Sequence, residues 1–183
     1  MKANKSIAEF KFKPGLPLEL EIISIKDLYS KGRKQVTLPH RTDFYNILWT
    51  EKGSPTHLVD FHPVKVPRDS ILFINKAQVH LFDSYENYEG KVIVFTDSFF
   101  CKTQEDVVFL NSTILFNDLL ETTPLKLNGI TKRLQSLVGL IQGELANGND
   151  TVQRDILQNY LHNFLLLCDT EKKLMDLQAL ERC

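Results

Sequence analysis

Two histidines, His40 and His80, are the side chains whose type and position could support metal chemistry. His40 precedes one predicted strand and His80 lies near the start of another. In a barrel, positions of this kind could meet at the mouth of a cavity and bind a metal ion. Two imidazoles without a third ligand rarely hold a metal, so we predict ordinary strand-end histidines and no metal site. His57 and His62 flank a predicted hairpin, and we expect both to face solvent.

The sequence contains no other set of residues typical of a catalytic centre. It has no Gly-rich phosphate loop, no GxSxG and no HExxH motif. Acidic residues are scattered along strands and turns, and no cysteine has a neighbouring histidine in the chain that could activate a thiolate. We therefore predict no enzymatic activity, no catalytic residues and no cofactor.

Composition indicates a folded protein without a basic face for nucleic acid. The 183 residues are 43% apolar and carry a net charge of −1, whereas nucleic-acid-binding modules usually show a basic excess. No apolar run approaches the ~18 residues that a membrane span needs, and the N-terminus lacks the apolar core of a signal peptide. Cys101, Cys168 and Cys183 have no metal-type spacing and are typical of reduced thiols. We expect a cytoplasmic protein with no membrane partner.

Short strands separated by turn residues dominate the first half of the chain. Every proline lies between residues 14 and 124, and we find no helical period before residue 95. Strands that recur every 8–12 residues or so are typical of a sandwich or a barrel. We predict strands at 18–25, 43–50, 56–61, 64–66, 71–74, 79–84 and 91–96.

Two helices are predicted after Pro124, each with an apolar stripe at helical spacing. The first spans 128–146 and the second spans 151–168. A shorter helix or strand is expected near 105–110. The first stripe consists of Ile130, Leu134, Leu137, Val138, Ile141 and Leu145, and the second of Val152, Ile156, Leu157, Tyr160, Leu161, Phe164, Leu165 and Cys168, with Leu174, Leu177 and Leu180 as a weak extension.

Three segments in order, at 39–61, 66–82 and 88–100, carry a family resemblance. Their sequences are PHRTDFYNILWTEKGSPTHLVDF, VPRDSILFINKAQVHLF and YEGKVIVFTDSFF. Together they resemble the N-terminal regulatory domain of AraC/XylS-type bacterial transcription regulators. The resemblance implies an α+β, mainly β, fold, with a cupin-like jelly-roll barrel over 1–123 followed by two C-terminal α-helices. Region 124–183 would serve in dimerisation and lead to a linker, and the family's DNA-binding domain would be absent from this chain.

The chain departs from metal-binding cupins at the positions that the resemblance aligns. Thr42 stands where the second histidine of the first motif would be, and Asn46 stands at the carboxylate position. Only His40 and His80 remain of the cupin metal set. The resemblance therefore implies a domain that binds a small molecule and does not perform metal catalysis.

The resemblance and the alternation of strand side chains together select a ligand pocket. If Thr42 points inward, a period of two places Phe44 and Asn46 on the same face. Lys52 aligns with an arginine of the sugar-binding branch of the family. The predicted pocket residues are His40, Thr42, Phe44, Asn46, Lys52, His80, Phe82 and Val92. The effector would be a sugar other than arabinose, a lipid-like acid, or absent.

The opposite face of the same strand carries Tyr45, Ile47 and Trp49, which must pack against the N-terminal strand or the C-terminal helices. The two helices present more apolar surface than one barrel face needs, so we predict a homodimer through them. The candidate interface residues are Ile141, Ile156, Tyr160, Leu161 and Phe164. In the alternative, both stripes pack on the barrel and on each other within one chain.

Three functions remain open from sequence. The first is a sensing and dimerisation domain of a transcription regulator, which would bind DNA only through a domain missing here. The second is a stand-alone cupin enzyme, such as an isomerase or a dioxygenase, with a degenerate metal site. The third is a dimerisation module whose barrel is filled by side chains and binds nothing. We favour the first.

Overall fold

The computed structural model describes residues 7–13, 18–84, 87–148 and 151–181. Within these ranges the chain forms ten strands: β1 (Ala8–Phe10), β2 (Leu20–Ser24), β3 (His40–Thr42), β4 (Tyr45–Lys52), β5 (Thr56–Val59), β6 (His62–Lys65), β7 (Ser70–Ile74), β8 (His80–Leu81), β9 (Glu89–Phe95) and β10 (Leu125–Lys126). They form two five-stranded sheets, in the orders β1-β3-β8-β5-β6 and β10-β7-β4-β9-β2. All pairings are antiparallel except that of β1 with β3.

The two sheets face each other across an apolar interior. Val59 and Val64 of the first sheet pack in one buried cluster with Leu48, Leu72 and Ile74 of the second. The sheets remain two separate hydrogen-bonded units in the part of the chain that the structure describes, so the barrel is not closed. The mixed α and β architecture with C-terminal helices is confirmed, while the closed barrel of the prediction is replaced by two open sheets.

Helix α1 (Ile25–Val36) is a correction, because no helix was expected in this region. The predicted strand at 18–25 ends at Ser24, whose hydroxyl accepts a hydrogen bond from Asp27 N at 3.0 Å. Ser24 is thus the N-cap, and the negative charge of Asp27 in the first turn interacts favourably with the helix dipole. Ile25 and Tyr29 are buried. The helix therefore forms because a capping signal and an apolar face follow the strand directly.

Two short helices lead away from the second sheet. They are α2 (Asp97–Phe100) and α3 (Gln104–Ser112), and the latter is the short element expected near 105–110. Thr103 and Asp106 form a capping box at the start of α3. Phe99 and Phe100 of α2 are fully buried, so this segment ties the sheet to the helices that follow.

The C-terminal helices α4 (Thr131–Ala146) and α5 (Gln153–Leu180) cover the outer face of the second sheet. Trp49 and Ile47 are fully buried in the cluster that contains Phe164, and the rings of Trp49 and Phe164 lie 6.4 Å apart. The sequence left the N-terminal strand and the C-terminal helices open as partners of this face, and Tyr45, Ile47 and Trp49 lie in a buried cluster that includes residues of both. Helix α5 extends twelve residues past the predicted end at 168, to Leu180.

The burial of the helix stripes corrects part of the predicted dimer interface. Ile141, Leu161 and Phe164 are each 0% exposed within the single chain. A side chain with no exposed surface has none left to contact a partner, so these three residues belong to the intrachain core. Ile156 and Tyr160 are half-buried on α5. The apolar stripes pack against the second sheet because the outer face of that sheet is itself apolar.

Polar side chains inside this helical layer anchor the segment before β10. Asp169 accepts hydrogen bonds from Thr113 Oγ1 at 2.6 Å and from Ile114 N at 3.3 Å. Lys172 donates to the Thr123 hydroxyl. Cys101 and Cys168 are free thiols, and Cys183 lies outside the described residues. In the described ranges, no helix combines the length and apolar character that a membrane crossing requires.

Candidate functional site

A cavity of about 310 Å³ lies between the two sheets and is bordered by α1 and by the residues that follow β1. We call it the inter-sheet cavity. Its lining is mainly apolar and aromatic, with polar side chains from β3 and β4 and with Lys11, Lys13, Glu21 and Gln35 also among the lining residues. Six of the eight residues that the sequence predicted for the pocket line it: His40, Thr42, Phe44, Asn46, Phe82 and Val92.

These side chains converge because the chain crosses from one sheet to the other at this point. Thr42 ends β3 in the first sheet, Phe44 lies in the bend that follows, and Asn46 lies on β4 in the second sheet. Val92 reaches the cavity from β9, which pairs with β4 in register Leu48 to Val92. Phe82 follows β8 on the opposite sheet, so the cavity is bounded by both sheets.

Lys52 is a predicted pocket residue that does not reach the cavity. The pairing of β4 with β9 shifts register between Thr50 and Lys52. A bulge of this kind breaks the period of two and redirects the side chains that follow it. Lys52 is exposed and its Nζ lies 2.9 Å from Glu89 Oε2. The lysine therefore makes a surface ion pair instead of a ligand contact.

His80 lies behind the cavity wall in a cluster of three buried histidines. Its ring is 4.3 Å from that of His40, centroid to centroid, because β3 and β8 pair His40 directly with His80. The Nε2 atom of His57 and the Nδ1 atom of His80 are hydrogen-bonded at 3.1 Å. His57 is 0% exposed, so the expectation that it faces solvent was wrong. Residue His62 is exposed, as expected.

Burial keeps the three imidazoles neutral. Desolvation lowers the pKa of His57 to about 3 and holds the pKa of His80 well below its ordinary value. The pKa of His40 is also lowered by burial. Nδ1 of His57 and Nε2 of His80 are buried without a hydrogen-bond partner among the described residues. No group of three or more His, Cys, Asp or Glu side chains in the described ranges is arranged to hold a metal ion.

Asn46 has a defined amide orientation. Its Nδ2 lies 3.3 Å from Phe44 O and 2.9 Å from Thr42 Oγ1, and Thr42 Oγ1 also donates to Phe44 O at 2.8 Å. A backbone carbonyl can only accept, so the atom of Asn46 that faces it must be the nitrogen. Because Thr42 Oγ1 and Phe44 O lie only 2.8 Å apart on one side of Nδ2, a single N–H is directed at both, and Asn46 retains its second N–H as a donor and Oδ1 as an acceptor.

His40 has a defined tautomer for the same reason. Its Nδ1 lies 2.8 Å from Leu38 O, which can only accept a hydrogen bond, so Nδ1 carries the proton. The ring is neutral, and Nε2 therefore carries a lone pair. The cavity lining thus includes the His40 imidazole, whose Nε2 is an acceptor, and the amides of Asn46 and Gln35.

Sequence reasoning missed the elements that cover the cavity from the N-terminal side. Phe12 packs edge-on against Phe44 at 5.6 Å, and the Phe12 N–H donates to Asp43 Oδ1 at 2.9 Å. Leu28 and Val36 of α1 line the same space. The signal that could have found α1 is the spacing of Ser24 and Asp27 ahead of an apolar helical period.

A known protein family matches most of the chain. The model of the family described as "AraC-like ligand binding domain" matches residues 28–162. Among solved structures, the chain is similar to the AraC-like transcriptional activator CuxR, with 10% identity and a TM-score of 0.46. That match covers 70% of this chain and 42% of the other, so the chain spans less than half of that protein's length. Comparison with curated proteins found no match.

Proposed function

The chain belongs to the AraC-like ligand binding domain family, and on that premise we propose that it is the small-molecule-sensing domain of a transcription regulator, with the inter-sheet cavity as the effector site. The observation that carries the proposal is the convergence of His40, Thr42, Phe44, Asn46, Phe82 and Val92 on one cavity. These residues were selected from sequence without knowledge of the cavity. Family membership favours this regulatory role over a cupin enzyme.

The size and lining of the cavity support ligand binding over a filled interior. A volume of about 310 Å³ is at the lower end of the ~300–1,000 Å³ range of small-molecule sites. Such sites combine apolar walls with a few placed polar groups, as Phe44, Phe82 and Asn46 do here. A cupin-like sandwich that only filled its core would place side chains in this space.

Thermal unfolding of the purified chain against a library of small effectors tests the proposal. A ligand that binds only the folded state raises the melting temperature, by mass action. The variant Val92→Phe fills the cavity and should abolish the shift, while its circular dichroism spectrum stays native. Val108→Phe, on the exposed face of α3, is the matched control and should keep the shift. A shift that survives Val92→Phe would move the ligand elsewhere and refute the proposed site.

DNA binding would belong to another domain of the regulator. The net charge of −1 leaves no excess of cations to neutralise phosphates. We propose the predicted division, with an effector domain over 1–123 and a helical region over 124–183, and a cytoplasmic location for the whole regulator. The chain alone should then give no sequence-specific mobility shift at moderate salt, and a shift that resists competitor DNA would contradict this assignment.

Dimerisation through α4 and α5 remains part of the proposal, with Ile156 and Tyr160 kept as candidate interface residues and exposed leucines of the same helices added to them. Leu140 on α4 and Leu166, Leu174 and Leu177 on α5 are each 46–58% exposed, and exposed leucines on one helix favour burial against a partner. A second copy of the chain, paired across a two-fold axis, would cover them.

Sedimentation equilibrium tests the dimer. The double variant Leu174→Glu and Leu177→Glu should convert a dimer into a folded monomer, because two charges at a seam oppose association. Leu119→Glu, at a residue that is 90% exposed outside these helices, is the control and should leave the mass unchanged. A monomeric unmutated chain at tens of micromolar would remove the hypothesis.

A further inference from the structure

The first sheet, β1-β3-β8-β5-β6, is narrowest at its central strand. Strand β8 consists of two residues, His80 and Leu81. In the described ranges, it pairs with β3 through one residue pair, His40 with His80, and with β5 through Val59–His80 and Leu58–Leu81. The central strand β4 of the second sheet pairs with β9 over most of its length. His80 is therefore the residue that links the β1 and β3 half of the first sheet to the β5 and β6 half.

Strands β1 and β3 form a wall of the inter-sheet cavity, because Phe10, His40 and Thr42 line it. One further backbone hydrogen bond of the described residues holds β3 to the segment before β8, from Ala77 N to Thr42 O at 2.9 Å. Ala77 has a φ of +66°, in the left-handed region that residues with a Cβ adopt at some cost in free energy. We call this contact between β3 and the β8 segment the histidine joint. A joint with so few hydrogen bonds opens more readily than a long strand pair.

Three imidazoles fill the histidine joint. The ring of His80 lies 4.3 Å from that of His40 and 5.3 Å from that of His57, centroid to centroid. Phe10 covers His40 at 5.1 Å, and Phe82 covers His57 at 4.7 Å. Burial lowers the pKa of all three histidines, and the neighbouring imidazoles lower the pKa of His57 and His80 further. The closed joint is therefore built from neutral rings.

The hydrogen bonding of His57 and His80 leaves no place for an added proton. A neutral imidazole has one N–H. The hydrogen bond between His57 Nε2 and His80 Nδ1 uses one of the two N–H groups of the pair, whichever ring donates. The two remaining ring nitrogens are buried without a partner among the described residues. A further proton would therefore add a charged and buried N–H without an acceptor, which is strongly unfavourable.

The carboxylates of the segments that flank the joint are committed to other donors. Asp60, at the end of β5, accepts hydrogen bonds from Val79 N and from Gln78 Nε2, each at 3.0 Å. Asp83, in the segment after β8, accepts from Thr56 N at 2.7 Å. Neither carboxylate is among the causes that shift the pKa values of the three histidines. These two acids therefore do not compensate a charge on the joint.

The charged groups on the other sides of the joint lie at solvent or pair with one another. Glu9 of β1 is in register with Arg41 of β3, and both residues are exposed. On the cavity side, Glu21 Oε1 lies 3.6 Å from Lys13 Nζ, and Lys11 is exposed. Water and salt screen exposed charges of this kind. A protonated imidazole inside the joint would therefore remain uncompensated.

We propose that the histidine joint is an acid-sensitive switch: when His80 or His40 takes up a proton, β3 separates from β8 and the wall of the inter-sheet cavity opens, while the second sheet stays folded. The open state exposes imidazoles that titrate near pH 6.5. Each exposed histidine therefore favours opening by up to about tenfold for every pH unit below that value. The opening itself needs no ligand, whereas its consequence, faster release of an effector in acid, rests on the proposed function.

Hydrogen exchange of the backbone amides of the full chain tests the proposal, with rates at pH 7.5 and pH 5.5 corrected for the intrinsic rate at each pH. Protection of the β3 amides should fall at least about tenfold at pH 5.5, because the open state binds a proton that the closed state excludes. At pH 5.5 these amides should also be at least about tenfold less protected than those of β4 and β9, since the wall opens without unfolding of the second sheet. Equal protection of the three strands at pH 5.5, or protection of β3 that does not change with pH, would overturn the proposal.

Variants of the joint identify the histidines responsible. His80→Gln does not titrate and retains an amide that can pair with His57, and it should reduce the pH response of the β3 amides at least about threefold. His40→Gln provides a second route if the first variant fails to fold, with the same expected reduction. His62→Gln, at an exposed position on β6, is the matched control and should keep the full response. An unchanged response in a folded joint variant would overturn the proposal.

The failures of the two proposals are distinguishable, because hydrogen exchange needs no ligand. If a library compound raises the melting temperature and Val92→Phe abolishes the shift, but protection of β3 does not change with pH, the effector site stands and the switch is wrong. If the wall opens in acid but no compound binds at millimolar concentration, the switch stands and the effector site is wrong.

Discussion

Because three histidines are buried between the sheets, we expect the folded chain to lose stability in acid. His57 is 0% exposed and its pKa is lowered to about 3, whereas a histidine in the unfolded chain titrates near 6.5. Between these two pKa values, the unfolded state therefore binds a proton on His57 that the folded state does not bind. Stability is fully present above pH 6.5 or so and is lost as the pH falls below that value, since the folded-state pKa is the lower of the two.

The magnitude follows from the two pKa values. Over the pH range in which only the unfolded state is protonated, one such imidazole lowers the free energy of unfolding by about 1.4 kcal/mol for each pH unit of acidification. Between pH 8 and pH 5, His57 alone would lower the free energy of unfolding by about 2 kcal/mol. The lowered pKa of His80 acts in the same direction. This is a large part of the ~5–15 kcal/mol that stabilises a typical domain.

The perturbation is His57→Gln, which removes the titration but retains a side-chain amide that can pair with His80 Nδ1 as donor or acceptor. Urea unfolding at pH 8, 6 and 5, followed by circular dichroism, gives the free energy at each pH. The variant should lose about 2 kcal/mol less than the unmutated chain between pH 8 and pH 5. His62→Gln is the matched control, because His62 is exposed on β6, and its pH dependence should equal that of the unmutated chain. Identical slopes for His57→Gln and the unmutated chain would refute the reasoning.

Three further predictions concern the fold. Leu161→Glu should leave the chain unfolded by circular dichroism, because Leu161 is 0% exposed and an unpaired buried charge costs several kcal/mol; Leu177→Glu, at a 58% exposed position, should retain the native spectrum, and the reverse order would contradict the packing described. Gly90→Ala should destabilise by at least about 2 kcal/mol in urea unfolding, since its Cβ would overlap the Trp49 carbonyl oxygen on the paired strand. Thr103→Ala should cost about 1 kcal/mol through loss of the N-cap of α3, and a melting temperature identical to that of the unmutated chain would argue against the capping box.

Part of the candidate site could be predicted because residues two apart in an extended segment share a face. Thr42, Phe44 and Asn46 fit this period although they span the end of β3, a bend and the start of β4. The structure puts these three at the cavity, and it puts Tyr45 and Ile47 in the buried cluster that includes the C-terminal helices. Lys52, which the resemblance placed in the pocket, lies beyond a register shift after Thr50 and does not line the cavity. No local signal marks that shift in the sequence.

The burial of His57 shows what strand pairing adds to local pattern. In Thr56–Val59, the alternation alone does not say which face is inside. The pairing of Val59 with His80 on β8 fixes the face, and it brings His57 against the ring of His80. This pairing joins residues 21 positions apart. Its stability depends on contacts between distant parts of the chain, which a local sequence pattern does not reveal.

By itself, the sequence determined the positions of seven of the ten described strands and of the two C-terminal helices, but not β1, β3, β10 or α1. The predicted elements follow from side-chain period and turn chemistry, which are local properties of the chain. Six of the sixteen residues that line the cavity were named from the sequence, with the help of the family resemblance. Only the tertiary structure decided what covers each apolar face. The apolar stripe that contains Leu161 and Phe164 could have packed against a second copy of the chain or against the chain's own sheet. The sequence pattern shows that this helix face is apolar but does not identify the surface that covers it. The fully buried Trp49 and Ile47 on the opposing sheet supply that partner, because apolar surface is buried wherever the chain brings two such faces together.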